Sequence, residues 1–131
     1  MPRLHYVFMA SLAALGGVVG ISLLCGSARA QTGETAGKEL FARRCAGCHA
    51  LDRDKEGPRL GGVLGRAAAS VPSFQYSEAL QKSGLTWSDD TLDRWLTDPE
   101  RLVPGNDMGF RLERLDERNA IIAYLKQVSG K

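Results

Sequence analysis

The run Cys45-Ala46-Gly47-Cys48-His49 is the part of this chain best equipped for chemistry. On a helical turn, residues three apart face the same way and lie about 4.5 Å apart along the axis. Two thiols placed like that can each add to one vinyl group of a single haem, while the next residue offers its imidazole to the iron. Cys-x-x-Cys-His is therefore a pattern for covalent haem attachment. Other readings of the cysteines fit less well. A structural zinc site wants four Cys or His ligands. The chain offers Cys25, Cys45, Cys48, His5 and His49, and two of these fall in an N-terminal segment of different character. A thioredoxin-like Cys-x-x-Cys needs a strand–helix–strand setting that the sequence does not supply.

A haem iron held by His49 on one side needs a ligand on the other. Past the N-terminal segment His49 is the sole histidine, so a second imidazole is excluded. Of Met1, Met9 and Met108, only Met108 lies in that region, in a loop bracketed by Pro104-Gly105 and Gly109. A methionine is ordinarily a filler of core gaps, but such a loop has little core to fill. Its thioether is soft and neutral, and His/Met ligation raises a haem's potential. A lysine amine and an open sixth position are the alternatives, and the open position would make a peroxidase or gas sensor.

The N-terminal segment reads as an address. Between Arg3 and Arg29 there is no Asp, Glu, Lys or Arg, the stretch from Tyr6 to Cys25 is apolar, and Ala28-Arg29-Ala30 is a small-x-small site. A basic start, an apolar run and such a site make a secretory signal peptide over residues 1–30. An uncleaved membrane anchor is the alternative, because the run approaches the length of a membrane span. Either way the domain over 31–131 is exported, which places it in the bacterial periplasm. The whole chain has 17 basic and 15 acidic residues, for a net charge of +2. Arg3 and Arg29 leave with the signal, so the remainder is balanced at zero. With no basic block, repeat or low-complexity tract, nothing points to nucleic acid.

What must position these ligands is a set of helices joined by glycine-rich loops. The pattern predicts a first helix from Thr35 to Cys48, with Ala36, Leu40, Phe41, Arg44 and Cys45 near one face. Gly57-Pro58, Gly61-Gly62 and Gly65 mark an irregular loop. A short helix runs from Ser77 to Lys82 and closes at Gly84. Ser88 caps another, with Asp89 and Asp90 in its first turn, Leu92, Trp95 and Leu96 on its apolar face, and Pro99 at its end. A last helix starts near Asp116 and shows Ile121, Tyr124, Leu125 and Val128 at helical spacing. No run alternates as a strand, and the expected class is all-α.

With these residues in view, the chain resembles class I cytochrome c, of the mitochondrial-type and bacterial cytochrome c2 group. The resemblance runs over nearly all of Gly37 to Lys126. It is carried by Gly37-x-x-x-Phe41-x-x-x-Cys45, by the Cys45–His49 motif, and by Gly57-Pro58-x-Leu60 followed by Gly62-Val63-x-Gly65-Arg66. Phe74-x-Tyr76-Ser77, Leu85-Thr86-Trp87 and Leu92-x-x-Trp95-Leu96-x-x-Pro99 continue it. Val103-Pro104-Gly105-x-x-Met108-x-Phe110 and Arg118-x-x-Ile121-Ile122-x-Tyr124-Leu125 complete it.

The resemblance implies a small cytochrome c fold with helices wrapped around one covalently bound haem c. It gives Cys45 and Cys48 the thioethers, and His49 and Met108 the iron. Pro58 would accept a hydrogen bond from the other ring nitrogen of His49, fixing its tautomer. Tyr76, Trp87 and Arg66 would donate to the haem propionates, whose burial is otherwise costly. Leu60, Leu96 and Phe110 would wall the haem, and Gly37 would allow the first and last helices to cross closely. Departures from the family stand out. Trp95 sits where a tyrosine is common, whose hydroxyl bonds near the methionine sulfur, and indole can only donate. Asp107 precedes Met108 where lysine is frequent, and the loop from His49 to Pro58 is shorter.

The expected function is a periplasmic, monohaem one-electron carrier between a redox protein donor and acceptor: a respiratory complex, an oxidase or a periplasmic dehydrogenase. It makes no bond to a substrate and is not an enzyme. A dedicated cytochrome subunit of a periplasmic dehydrogenase complex is the alternative, followed by a peroxidase or sensor with a labile sixth ligand. Membrane contact is expected only if the N-terminal segment is retained.

Overall fold

The computed structural model describes residues 27–130, with side chains from Thr35 onward. The expected signal segment up to Gly26 lies outside the described residues. Five helices follow in order: α1 (Ser27–Arg44), α2 (Glu78–Lys82), α3 (Asp89–Thr97), α4 (Pro99–Leu102) and α5 (Leu115–Ser129). Among the described residues the β-type pairing is one isolated antiparallel bridge, Ala67 to Thr86. The fold is all-α, and no described helix is long and apolar enough to cross a membrane.

Helix α1 packs on α5, and α5 also packs on α3. Gly37 makes the first contact possible, because a Cβ there would stand 2.4 Å from the Ala120 carbonyl oxygen and 2.9 Å from Tyr124 Cβ. One turn later the Phe41 and Tyr124 rings meet with centroids 5.5 Å apart. Ile121 and Leu125 are buried behind them. The same apolar cluster takes in Leu92, Trp95 and Leu96 of α3 and the Trp87 ring.

The helices differ from the sequence pattern at the ends of α1, at Pro99 and on the buried face of α5. Helix α1 begins at Ser27 and ends at Arg44, so the haem motif is a turn beyond it. Across that turn, Ala46 N–H reaches back to the Phe41 carbonyl and Cys48 N–H to the Cys45 carbonyl. The Ala46 and Gly47 carbonyls accept instead from Lys55 Nζ, at 2.5 and 2.8 Å. Helix α3 stops at Thr97, and Pro99 opens α4 instead of simply ending α3. Proline lacks an N–H, which suits a first helical position, and the Asp98 side chain accepts from Arg101 N–H to cap the new turn. Helix α5 carries a charged residue on its buried face, Arg118, only 8% exposed.

Ser88 caps α3 as expected. Its hydroxyl accepts from Thr91 N–H, and the Thr91 hydroxyl accepts from Ser88 N–H, a reciprocal capping box. That fixes the start of the helix that carries Trp95.

Candidate functional site

A cavity of about 410 Å³ opens inside this frame, and its walls gather nearly every residue that the sequence singles out. Cys45, Cys48, His49 and Pro58 line it from the α1 side, and Arg66, Tyr76 and Trp87 from the middle loops. Leu92, Trp95 and Leu96 line it from α3, and Met108 and Phe110 from the loop before α5. Leu60 is also on the wall.

The imidazole is held in one tautomer. His49 Nδ1 lies 2.8 Å from the Pro58 carbonyl oxygen. A carbonyl only accepts, so Nδ1 carries the hydrogen and Nε2 keeps its lone pair. Burial lowers the His49 pKa, with the nearby Lys55 charge acting the same way and the Pro58 bond opposing them. A neutral ring is the form that can ligate a metal. Gly57 makes room for it: a Cβ there would come within 2.2 Å of His49 Cε1 and 2.6 Å of Nδ1. Gly57 N–H in turn donates to the Cys48 carbonyl at 2.8 Å, which sews the proline loop to the haem motif.

The thiols suit covalent capture better than metal binding. Cys45 and Cys48 form no disulfide. Burial pushes the Cys45 thiol up to about 11, so it stays protonated and is poorly disposed to act as a thiolate ligand. Adding its S–H across a vinyl group leaves a neutral thioether, which an apolar wall tolerates. Cys48 is exposed at the cavity edge, 3.4 Å from Glu56 Oε2. That hydrogen bond is the main cause of its raised pKa.

Met108 is held from both sides of its loop. Its N–H donates to Asn106 Oδ1 at 2.8 Å, and Asn106 Nδ2 donates to the Val103 carbonyl. Glu100 accepts from Gly105 N–H. After the methionine, Leu112 N–H donates to the Leu96 carbonyl at 2.7 Å. Arg118 then grips the Leu112 and Glu113 carbonyls while pairing with Asp93 of α3 at 2.7 Å. Trp95 Nε1 reaches Met108 Sδ at 3.0 Å. The indole at this position thus makes the contact to sulfur that the resemblance associates with a tyrosine hydroxyl.

The residues assigned to the propionates share one wall but already have work within the protein. Arg66 donates to the Gly61 and Arg59 carbonyls at 3.1 and 2.9 Å. Trp87 stands edge-on to Trp95, with centroids 5.3 Å apart. Burial is the leading cause of the raised Tyr76 pKa, so its hydroxyl stays a donor. Sequence reasoning passed over Lys55, Asn106 and Glu100, whose polar side chains look like ordinary surface residues in a list. Arg118 carried a readable signal, being a charge at i−3 and i−4 from Ile121 and Ile122 on an otherwise apolar stripe.

The helices and the cavity, with paired thiols and a neutral imidazole on one wall and a thioether on another, define a small haem-binding protein. Family and relatives agree with that class. Residues 34–129 match the model of the Cytochrome c family. A cytochrome c from Chlamydomonas reinhardtii is 39% identical over 79% of this chain and 96% of its own length. Cytochrome c2 iso-2 from Magnetospirillum molischianum is 44% identical over 63% of this chain and 88% of its own. The solved structure of cytochrome cH from Methylobacterium extorquens superposes with a TM-score of 0.68 at 40% identity, covering 72% of this chain and 97% of that one. The chain belongs to the cytochrome c family. It is an electron carrier with one covalently bound haem c, working between redox partners.

Proposed function

We propose that this protein is an exported, periplasmic one-electron carrier whose haem is joined to Cys45 and Cys48 and ligated by His49 and Met108. The observation that carries the reading is the convergence of those side chains on one cavity, with His49 Nε2 left free by the Pro58 bond. The haem supplies the Fe(III)/Fe(II) couple, and no bond to a substrate is made. The chain's own residues prepare the site. Pro58 fixes the imidazole tautomer and raises its basicity as a ligand, and Asn106, Glu100 and Arg118 hold the loop that presents Met108. With haem bound, a neutral thioether from Met108 and an imidazole from His49 would favour Fe(II) and raise the potential. Arg66, Tyr76 and Trp87 offer donors to the propionates from the wall they share.

Two measurements on purified protein test the assignment. Acid-acetone extraction leaves the haem on the polypeptide, and haem that extracts freely overturns the covalent link. Oxidised wild type shows the weak far-red absorption of a thioether–Fe(III) bond, whereas Met108→Ala loses it, binds CO and has a lower potential. An unchanged far-red band in Met108→Ala assigns the sixth position to another group.

A further inference from the structure

The loop that presents Met108 is gripped on both limbs from one short element, α4 and its cap. Pro99 is fully buried and Asp98 caps the turn through Arg101 N–H, so side chains there start from a fixed base. On the limb before Met108, both carboxylate oxygens of Glu100 face the Gly105 N–H, at 3.1 and 3.2 Å. Glu100 Oε2 also lies 3.4 Å from Asn106 Nδ2, which donates to the Val103 carbonyl at 2.9 Å. A carboxylate only accepts, so it draws the NH2 end of the Asn106 amide toward α4 and leaves the oxygen end facing the other way. That oxygen accepts from Met108 N–H at 2.8 Å. On the limb after Met108, Arg111 pairs with Asp98 at 3.0 Å. Glu100 thus acts on the methionine through Gly105 and Asn106, and its own limb has no ion pair to share the task.

We infer that Glu100 is a positioning residue for the sixth ligand, whose carboxylate clasps the loop shut and sets how often Met108 leaves the iron. The inference rests on the reading that Met108 ligates the iron. A thioether is a soft donor and Fe(III) is a hard acceptor, so the bond depends on a loop that keeps the sulfur in place. Opening of that loop is a local event, governed by the few bonds that close it and not by the stability of the whole chain. Each opening exposes the sixth position to small ligands, which a carrier must exclude. The Glu100 bonds are exposed to water, so their loss speeds opening by a modest factor and leaves the resting structure intact.

The experiment compares Glu100→Ala with Glu100→Gln, which keeps one acceptor oxygen toward Gly105. Imidazole is mixed with each ferric holoprotein and with wild type in stopped flow, and loss of the far-red band is followed. At saturating imidazole the rate no longer depends on its concentration and equals the rate at which Met108 departs. The expected result is a far-red band in all three resting proteins and a limiting rate about threefold to tenfold faster in Glu100→Ala than in wild type. Glu100→Gln stays within about twofold of wild type. Gly37→Val, which weakens the α1–α5 crossing away from this loop, keeps the wild-type rate. Equal limiting rates for Glu100→Ala and wild type overturn the inference, as does an equal acceleration in Gly37→Val, which would tie the rate to global stability. A wild type with no far-red band instead overturns the Met108 reading beneath it. Should Glu100→Ala yield no holoprotein, amide exchange on the wild type decides. Gly105 and Met108 N–H are then expected to be protected together, and a Gly105 N–H that exchanges as freely as in an unfolded chain overturns the inference.

Discussion

His49 is held as much by a missing side chain as by its neighbours. Gly57 is buried against the imidazole, and any Cβ at that position overlaps the ring at 2.2 Å. Gly57→Ala must displace the ring or break the Gly57 bond to the Cys48 carbonyl, since backbone has no slack to absorb so close a contact. The expected outcome is little holoprotein, measured as haem per polypeptide, with the surviving fraction showing a disturbed far-red band. Normal yield and spectrum would mean that the loop shifts without cost. At this scale the sequence was legible wherever chemistry forces a residue type. Cys45, Cys48, His49, Pro58 and Met108 stand on the cavity wall as their spacing and the family pattern implied. The Trp95 contact with sulfur was not legible, because whether an indole N–H reaches a given atom depends on the angle of α3, which no spacing encodes.

Elements carry the next level of dependence, and the α1–α5 crossing is the tightest. Gly37→Val places two methyl groups where the Ala120 carbonyl stands. Overpacking of this sort costs about 1–3 kcal/mol, so the denaturation midpoint of the holoprotein is expected to fall while the far-red band persists, the iron ligands being elsewhere. A second element-level device ties the short His49–Pro58 loop to the segment before α2. Asp54 accepts from Arg59 N–H at 2.8 Å and from the Ser73 hydroxyl at 2.5 Å. These bonds, the Ser73 one foremost, hold its carboxyl below the usual range. A carboxyl with a depressed folded pKa adds stability above its unfolded value, near 3.9, and loses it as pH falls through the folded value. The stability gap between wild type and Asp54→Asn is thus expected to be full at neutral pH and to close in acid below about pH 4. A gap that is constant with pH, measured by denaturant titration, would refute the assignment. Helix positions were well marked in the sequence where a cap or an apolar stripe exists, as at Ser88 and along Ile121 to Leu125. The end of α1 was not, because Lys55 satisfies the Ala46 and Gly47 carbonyls from nine and eight residues away. Pro99 was ambiguous for a different reason: the same ring that stops one helix is well suited to start the next.

For the whole molecule the open matter is how it meets its partners, and charge is the controlling quantity. Carriers with a ring of cations meet acidic partners by electrostatic steering, which speeds association and collapses with salt. The chain as a whole has a net charge of +2, and removal of a segment holding Arg3 and Arg29 brings this to zero. Around the cavity the charged wall residues offset one another, Arg44 and Arg66 against Glu56 and Asp107. Arg66 is turned onto backbone carbonyls, and Lys55 spends its donors on the haem-motif turn. Phe110, 36% exposed, adds an apolar spot at the same wall. With so little net field, screening over about 8–10 Å at physiological ionic strength has little attraction to remove. The electron-transfer rate with the native partner is therefore expected to change by less than about threefold between low and moderate salt, and reaction with a strongly acidic oxidase surface to be slow. Stopped-flow rates over that range decide it. A fall of tenfold or more would reveal a basic face that the balanced totals conceal, and would make an acidic partner the correct one.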